Sequence, residues 1–283
     1  MKIQLASSYG FCFGVKRAIE MAEEHKGSVT YGPLIHNKDE IDRLKESFNI
    51  DIARSLDEVK SNDTVVIRTH GIPKEELDAL HKKDGKIIDA TCPYVTTPQN
   101  IVAKMSEDGY SVVIFGDADH PEIKGVVSYA NDAEDAFIVL QPEELETLPL
   151  KGKVAVVSQT TKKPEDFAKI VTALMSTRKE IRVFNTICNA TFENQDAASE
   201  LAKEADVMVV IGGKHSSNTK QLHSICQRDC KESYLIENER ELEASWFDDK
   251  ALCGISAGAS TPDWIVQNVI DTIQEMKKVD AVS

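Results

Sequence analysis

Three cysteines each sit where a β-rich run gives way to a helical stretch: "KIQLASSYGFC" ends at Cys12, "KIIDATC" at Cys92 and "IRVFNTIC" at Cys188. Thiolates suit soft metals and iron–sulfur clusters, and a [4Fe–4S] cluster held by three cysteines keeps one iron open as a Lewis acid. The sequence contains no CxxC pair, so zinc-ribbon and ordinary ferredoxin spacings are missing, and spacing alone declares no metal. Ordinary buried cysteines are the other reading, because cysteine is often buried. Cys226, Cys230 and Cys253 match no shared position. Cys226 and Cys230, one helical turn apart, read as core or surface residues.

Polar turns supply the rest of the candidate chemistry. "KHSSNT" places His215, Ser216, Ser217 and Asn218 at the start of a helix, where free N–H groups and the macrodipole favour an anion. "SAGASTP" adds Ser256, Ser260 and Thr261, and "YGPLIHN", "RTHG" and "DADHPE" supply His36, His70 and His120. Taken together these residues form a candidate phosphate cradle; taken singly, Ser217 or Ser260 reads as a helix cap. Glu122, beside His120, is the one carboxylate in these turns placed for proton transfer. Near a phosphate and a reduced cluster its pKa is expected to rise, keeping a proton available near neutral pH. A helix-N-terminal glutamate facing the dipole is the bland alternative. Thr160 and Thr161 of "SQTT" either relay a proton or cap the helix from Pro164. His81 and His223 read as surface residues.

What could bring such distant residues together is a repeat. β-rich runs alternate with amphipathic helical stretches throughout, the pattern of βα units and mostly parallel sheets. Three times the order is cysteine, a glycine-containing turn (with His36, His120 or His215), then a second polar turn near a proline. The third unit lacks a closing strand and the first has one to spare, so strand 2–6 is expected to complete the third sheet. The expected fold is α/β: three similar lobes, roughly 1–91, 92–187 and 188–283, with mostly parallel sheets in a pseudo-threefold arrangement around a central iron–sulfur site. Ligand-binding loops of such sheets lie at the carboxyl ends of the strands, where all three cysteines and both sets of turns fall.

Bulk properties narrow the setting. The 283 residues carry a formal charge of −14, which argues against general nucleic-acid binding. There is no run of 18 apolar residues and no charged-then-apolar leader, so a cytoplasmic protein without a membrane span is expected.

The motifs "GFCFGVKRAI", "GPLIHN", "RTHG", "DATCP", "HPE", "SQTT", "NTIC", "SSNT" and "AGASTP", in this order over essentially the whole chain, resemble the IspH (LytB) family of 4-hydroxy-3-methylbut-2-enyl diphosphate reductases. The resemblance implies that Cys12, Cys92 and Cys188 ligate a [4Fe–4S] cluster with an open apical iron. It also implies a substrate that is an allylic diphosphate, held by His36, His120, Ser216, Ser217, Asn218 and Ser260, with His70 nearby and Thr191 as a further pocket position. Glu122 resembles the proton donor, linked to the substrate through Thr160. Electrons would come from a reduced flavodoxin or ferredoxin, for which Lys16, Arg17, Lys38 and Arg43 form a candidate docking patch. A quinolinate-synthase-like enzyme and a cluster-bearing redox sensor or phosphate-binding module are the alternatives.

Overall fold

The computed structural model describes residues 1–35 and 37–280, apart from the side chains of Ser217 and of 277–280. Along the chain run β1 (Lys2–Leu5), α1 (Phe13–Glu23), β2 (Val29–Tyr31), α2 (Lys38–Phe48), β3 (Asp51–Ala53), β4 (Thr64–Ile67), α3 (Lys74–His81) and β5 (Lys86–Asp89). There follow α4 (Pro93–Glu107), β6 (Ser111–Phe115), α5 (Pro121–Val127), β7 (Ala136–Val139), β8 (Lys153–Ser158), α6 (Pro164–Met175) and β9 (Glu180–Val183). The last stretch holds α7 (Asn189–Glu204), β10 (Val207–Ile211), α8 (Ser217–Asp229), β11 (Ser233–Ile236), β12 (Leu252–Ala257) and α9 (Asp263–Asp280).

The strands form three four-stranded sheets with one topology, ordered β3-β2-β4-β5, β7-β6-β8-β9 and β11-β10-β12-β1. The paired strands of all three are parallel. In the third sheet the outer place beside β12 is taken by β1 from the amino end, with Lys2 opposite Leu252 and Leu5 opposite Ile255. Parallel strands covered on both faces read as unbroken apolar runs, and "SVVIF" and "VMVVI" are buried at every residue.

The chain divides into two compact units. One comprises Met1–Lys16, Ile35–Ser47 and Asn189–Ser283; the other comprises Arg17–Leu34 and Phe48–Cys188. The first unit contains the sheet of β10. Alternate residues Val207, Val209 and Ile211 pack with Ile265, Val269 and Ile273 of α9, while Met208 and Val210 pack with Ala198, Leu201 and Leu222 of α7 and α8. In the second unit Val112 and Ile114 of β6 meet Val102 and Met105 of α4 and Ile123 and Val126 of α5. Tyr31, Val65 and Ile67 form the core of its other sheet with Leu80 of α3. The large apolar side chains anchor the strands, so the turns at the strands' carboxyl ends are free to carry polar residues.

Candidate active site

Glu122 lies in the first turn of α5, which starts at Pro121 and is capped by His120. Its carboxylate is buried, at 2% exposure, yet it has two donors: the Thr160 backbone N–H reaches Oε1 at 2.7 Å and the Thr160 hydroxyl reaches Oε2 at 2.7 Å. Burial pushes the Glu122 carboxyl above its ordinary value, and the Thr160 donors pull it back part of the way. The rise therefore exists without any ligand. Thr160 is not a cap of α6, whose N-cap is Lys163. Instead it ties the β8 turn to α5. On its other side the Thr160 carbonyl accepts the Cys188 N–H at 2.8 Å, so acid, threonine and cysteine form one hydrogen-bonded chain.

Two histidines stand beside this chain in the same unit. His120 accepts the Glu122 N–H on Nδ1 at 3.2 Å, which leaves Nε2 as the nitrogen that carries a proton in the neutral ring. The His70 ring meets the His120 ring edge-on, with centroids 5.6 Å apart and an 80° interplanar angle. His70 is followed by Gly71 in the left-handed region (φ +71°), where a Cβ would lie 2.8 Å from Gln99 Nε2. Gln159, buried in the "SQTT" turn, accepts the Asp117 N–H on Oε1 at 3.0 Å and so joins the turns after β6 and β8.

The polar turns of the other unit are built on α8 and the end of β12. Ser216 is the N-cap of α8, its hydroxyl accepting the Thr219 N–H at 3.3 Å. Asn218 follows in the first turn, while Ser260 is half-buried and Thr191, in the first turn of α7, is buried. Among the described residues the Asn218 Nδ2 and Ser256 Oγ atoms are buried with no hydrogen-bond partner. An unpartnered buried donor costs about 1–3 kcal/mol, and Asn218, in the first turn of α8, lies where free N–H groups favour an anion. Gly258 permits the close approach that shapes this turn: a Cβ there would sit 2.3 Å from Thr219 Oγ1. His36 and the Ser217 side chain lie outside the described residues.

The six cysteines separate into two groups. Cys12, Cys92 and Cys188 are half-buried, and each directly precedes a helix (α1, α4 and α7). Cys226, Cys230 and Cys253 are buried in apolar clusters. Burial pushes the Cys226 and Cys253 thiols up to about 12 and raises Cys230 as well, so all three stay protonated. Helix amino ends favour negative charge, which suits three thiolates around an iron–sulfur core. Among the described residues no group of three or more His, Cys, Asp or Glu side chains is arranged to hold a single metal ion. A cluster makes a different demand, because each thiolate binds its own iron. Thiols are the donors such a core takes, and Cys12, Cys92 and Cys188 are the three that are half-buried at helix starts.

Several expectations are revised. The third repeat's counterpart of His120 is Ser216, not His215: His120 is the fifth residue after β6 and Ser216 the fifth after β10, each an N-cap. His215 is exposed. His223 is half-buried rather than on the surface, with Nε2 2.8 Å from the Ser233 carbonyl. Arg43 is held by Glu40 through Nε at 2.9 Å and Nη2 at 2.6 Å, and Arg17 Nη1 donates to the Thr91 carbonyl at 3.2 Å. Of the four basic residues suggested for docking, Lys16 and Lys38 are the exposed ones. Asn194 of α7 stands in no motif of the sequence, yet it is buried, accepts from the Ser8 hydroxyl at 2.6 Å and donates to the Gly10 carbonyl at 3.3 Å, steadying the loop before Cys12.

A family model described as LytB protein matches residues 3–274. The chain belongs to the LytB family. Its LytB relatives include proteins named 4-hydroxy-3-methylbut-2-enyl diphosphate reductase from a Sulfurovum species, 75% identical over 98% of this chain and 100% of the relative, and from a Nitratiruptor species, 64% identical over the same shares. A solved structure of (E)-4-hydroxy-3-methyl-but-2-enyl diphosphate reductase, the terminal enzyme of the non-mevalonate pathway, is 42% identical with a TM-score of 0.78, covering 97% of this chain and 100% of that one. The E-1-hydroxy-2-methyl-but-2-enyl-4-diphosphate reductase of Plasmodium falciparum is 26% identical with a TM-score of 0.84, covering 95% of this chain and 86% of its own.

Two outcomes follow from this geometry. A carboxyl raised in the fold stabilises most below its unfolded value and loses that benefit as pH climbs toward its folded value. The thermal midpoint of the native protein, relative to Glu122→Gln, should therefore fall as pH rises from below 4.5 toward neutrality; parallel curves would show that burial does not lift Glu122. Separately, inorganic pyrophosphate should raise the thermal midpoint of the ligand-free protein. Asn218→Leu should lose that rise while leaving the unliganded fold no less stable than the native one, because the amide nitrogen it removes is buried without a partner among the described residues.

Proposed function

We propose that this chain reduces 4-hydroxy-3-methylbut-2-enyl diphosphate to isopentenyl and dimethylallyl diphosphate, the terminal step of the non-mevalonate isoprenoid pathway. The observation that carries the reading is the buried Glu122 carboxyl, held by both Thr160 donors on a turn whose carbonyl also holds Cys188. Relatives of 75% and 64% identity bearing that reductase name support it.

The thiols of Cys12, Cys92 and Cys188 would hold a [4Fe–4S] cluster. When bound, such a cluster supplies single electrons and an open iron that can polarise a C–O bond. The net change replaces the allylic C–O bond with C–H, taking in two electrons and two protons and releasing one water. Glu122 keeps the first proton available, because burial disfavours its anion, and Thr160 fixes both carboxyl oxygens so that the proton is delivered from one place. Ser216, Ser217, Asn218, Ser260, His36 and His120 bind the diphosphate, with His70 nearby. Thr191 lines the pocket. Among the described residues the Asn218 Nδ2 is buried without a partner, and the diphosphate would supply one, turning a cost of folding into binding energy. A reduced flavodoxin or ferredoxin supplies the electrons, docking where Lys16 and Lys38 are exposed.

Anaerobic reconstitution followed by turnover of the hydroxylated diphosphate with dithionite and a viologen tests the reading. Glu122→Gln should lower kcat by about 10²- to 10⁴-fold with the cluster spectrum intact. A native protein with an intact cluster and no turnover would overturn it. Cys92→Ser should lose iron, whereas Cys226→Ser should keep it. Lys16→Glu with Lys38→Glu should weaken the rate with the protein donor, and its salt dependence, while the viologen-driven rate holds.

A further inference from the structure

In all three repeats the cysteine N–H donates to the carbonyl of the second residue past a strand. Cys92 meets Thr69 after β4 at 3.0 Å, Cys188 meets Thr160 after β8 at 2.8 Å, and Cys12 meets Ala259 after β12 at 3.3 Å. These bonds prolong the parallel ladder past the end of its strands. The preceding rungs show how the prolongation is held. In the first repeat the Ala90 N–H reaches the Ile67 carbonyl at 3.2 Å, and in the third the Gly10 N–H reaches the Ala257 carbonyl at 3.0 Å. Ile67 and Ala257 are the last residues of their strands.

The second repeat differs at this rung. The last residue of β8 is Ser158, and its carbonyl accepts from a side chain, the Thr186 hydroxyl, at 2.6 Å. The same hydroxyl accepts the Ser158 N–H at 2.8 Å, and Thr186 is buried. One hydroxyl thus closes both backbone groups of Ser158. On one side the Phe184 N–H reaches the Val156 carbonyl at 2.9 Å, and on the other Cys188 reaches Thr160 at 2.8 Å, so the Thr186 bond falls midway in a three-rung sequence. Thr160 in turn carries both donors to Glu122.

We infer that Thr186 is a positioning residue whose hydroxyl replaces a backbone rung and thereby fixes Cys188 and Thr160 in mutual register. Its hydroxyl is engaged by the Ser158 N–H and carbonyl, so its role is to position and not to react. This inference rests on the reductase reading only for its turnover arm. Its physical basis is the pair of bonds to Ser158 and the comparison of the three repeats. A hydroxyl that both donates and accepts can do this; a methyl of the same size leaves the Ser158 N–H and carbonyl buried without partners.

The test compares Thr186→Val with Thr186→Ser. In the ligand-free protein, amide hydrogen exchange at Cys188 and Ser158 should speed up at least about tenfold in the valine variant and stay near the native rate in the serine variant. In the reconstituted enzyme, with dithionite and a viologen, Thr186→Val should lower kcat by about tenfold to a hundredfold, as a small displacement of reacting groups does, with KM changed by less than about twofold. Serine should restore kcat. Native exchange at Cys188 in the valine variant would overturn the inference. So would equal impairment by valine and serine, since that would assign the role to the Thr186 methyl. Failure of the native protein to turn over would strike the reductase reading and leave the exchange result standing.

Discussion

The arrangement depends on one residue engaged in three hydrogen bonds, two given to one carboxyl and one accepted from a cysteine. Thr160 uses its N–H and hydroxyl on Glu122 and its carbonyl on Cys188. A buried carboxylate without donors would be expelled or fully neutralised. With two donors it remains inside, raised but able to ionise, which is the condition for passing a proton. Because both donors come from one residue at a strand end, the acid is fixed by the sheet and not by loop packing. The same residue then fixes the Cys188 backbone, so the carboxyl and the cysteine are tied to a single turn.

The repeat explains why so few residues suffice. A parallel sheet ends all its strands on one side, and the turns there hold N–H and carbonyl groups that the ladder no longer uses. Each repeat gives one such carbonyl to a cysteine. The surplus groups are then satisfied locally: in the second repeat by Gln159 and Thr186, in the third by Asn194 across Ser8 and Gly10. Polar residues buried at the ends of apolar strands are therefore structural necessities first, and their chemistry is added to that.

Much of this architecture was legible in the sequence because hydrophobic runs and punctuating turns follow from backbone geometry. Three parallel α/β sheets follow from the recurrence of strand, turn and helix. Other features were not legible. Spacing gives no reason to join Glu122 to Thr160, 38 residues away; only the family resemblance suggested it. In the third repeat the histidine that marks the turn in the sequence is His215, whereas the N-cap geometry selects the next residue, Ser216. Arg43 looks like a surface charge in the sequence, yet Glu40, whose side chain is buried and also accepts the Trp264 indole N–H at 2.8 Å, holds it. The Glu40–Arg43 pair is itself local, three residues apart on α2, but the contact of Glu40 with Trp264, 224 residues away, is tertiary and no local pattern encodes it.

The second and third repeats put the same frame to opposite uses. His120 caps α5 and Glu122 follows two residues later; Ser216 caps α8 and Asn218 follows two residues later. Thr160 stands two residues past β8, and Ala259 stands two residues past β12. In the second repeat the threonine hydroxyl satisfies the carboxyl, so the acid is complete before anything binds. In the third, alanine brings no hydroxyl, and among the described residues the Asn218 Nδ2 has no partner. Exchanging Glu and Thr for Asn and Ala thus converts a self-satisfied proton store into a donor that seeks an acceptor from outside. The two repeats thus use the same cap-and-turn positions, in one with a carboxyl satisfied from within the fold and in the other with an amide nitrogen that the described residues leave unpartnered.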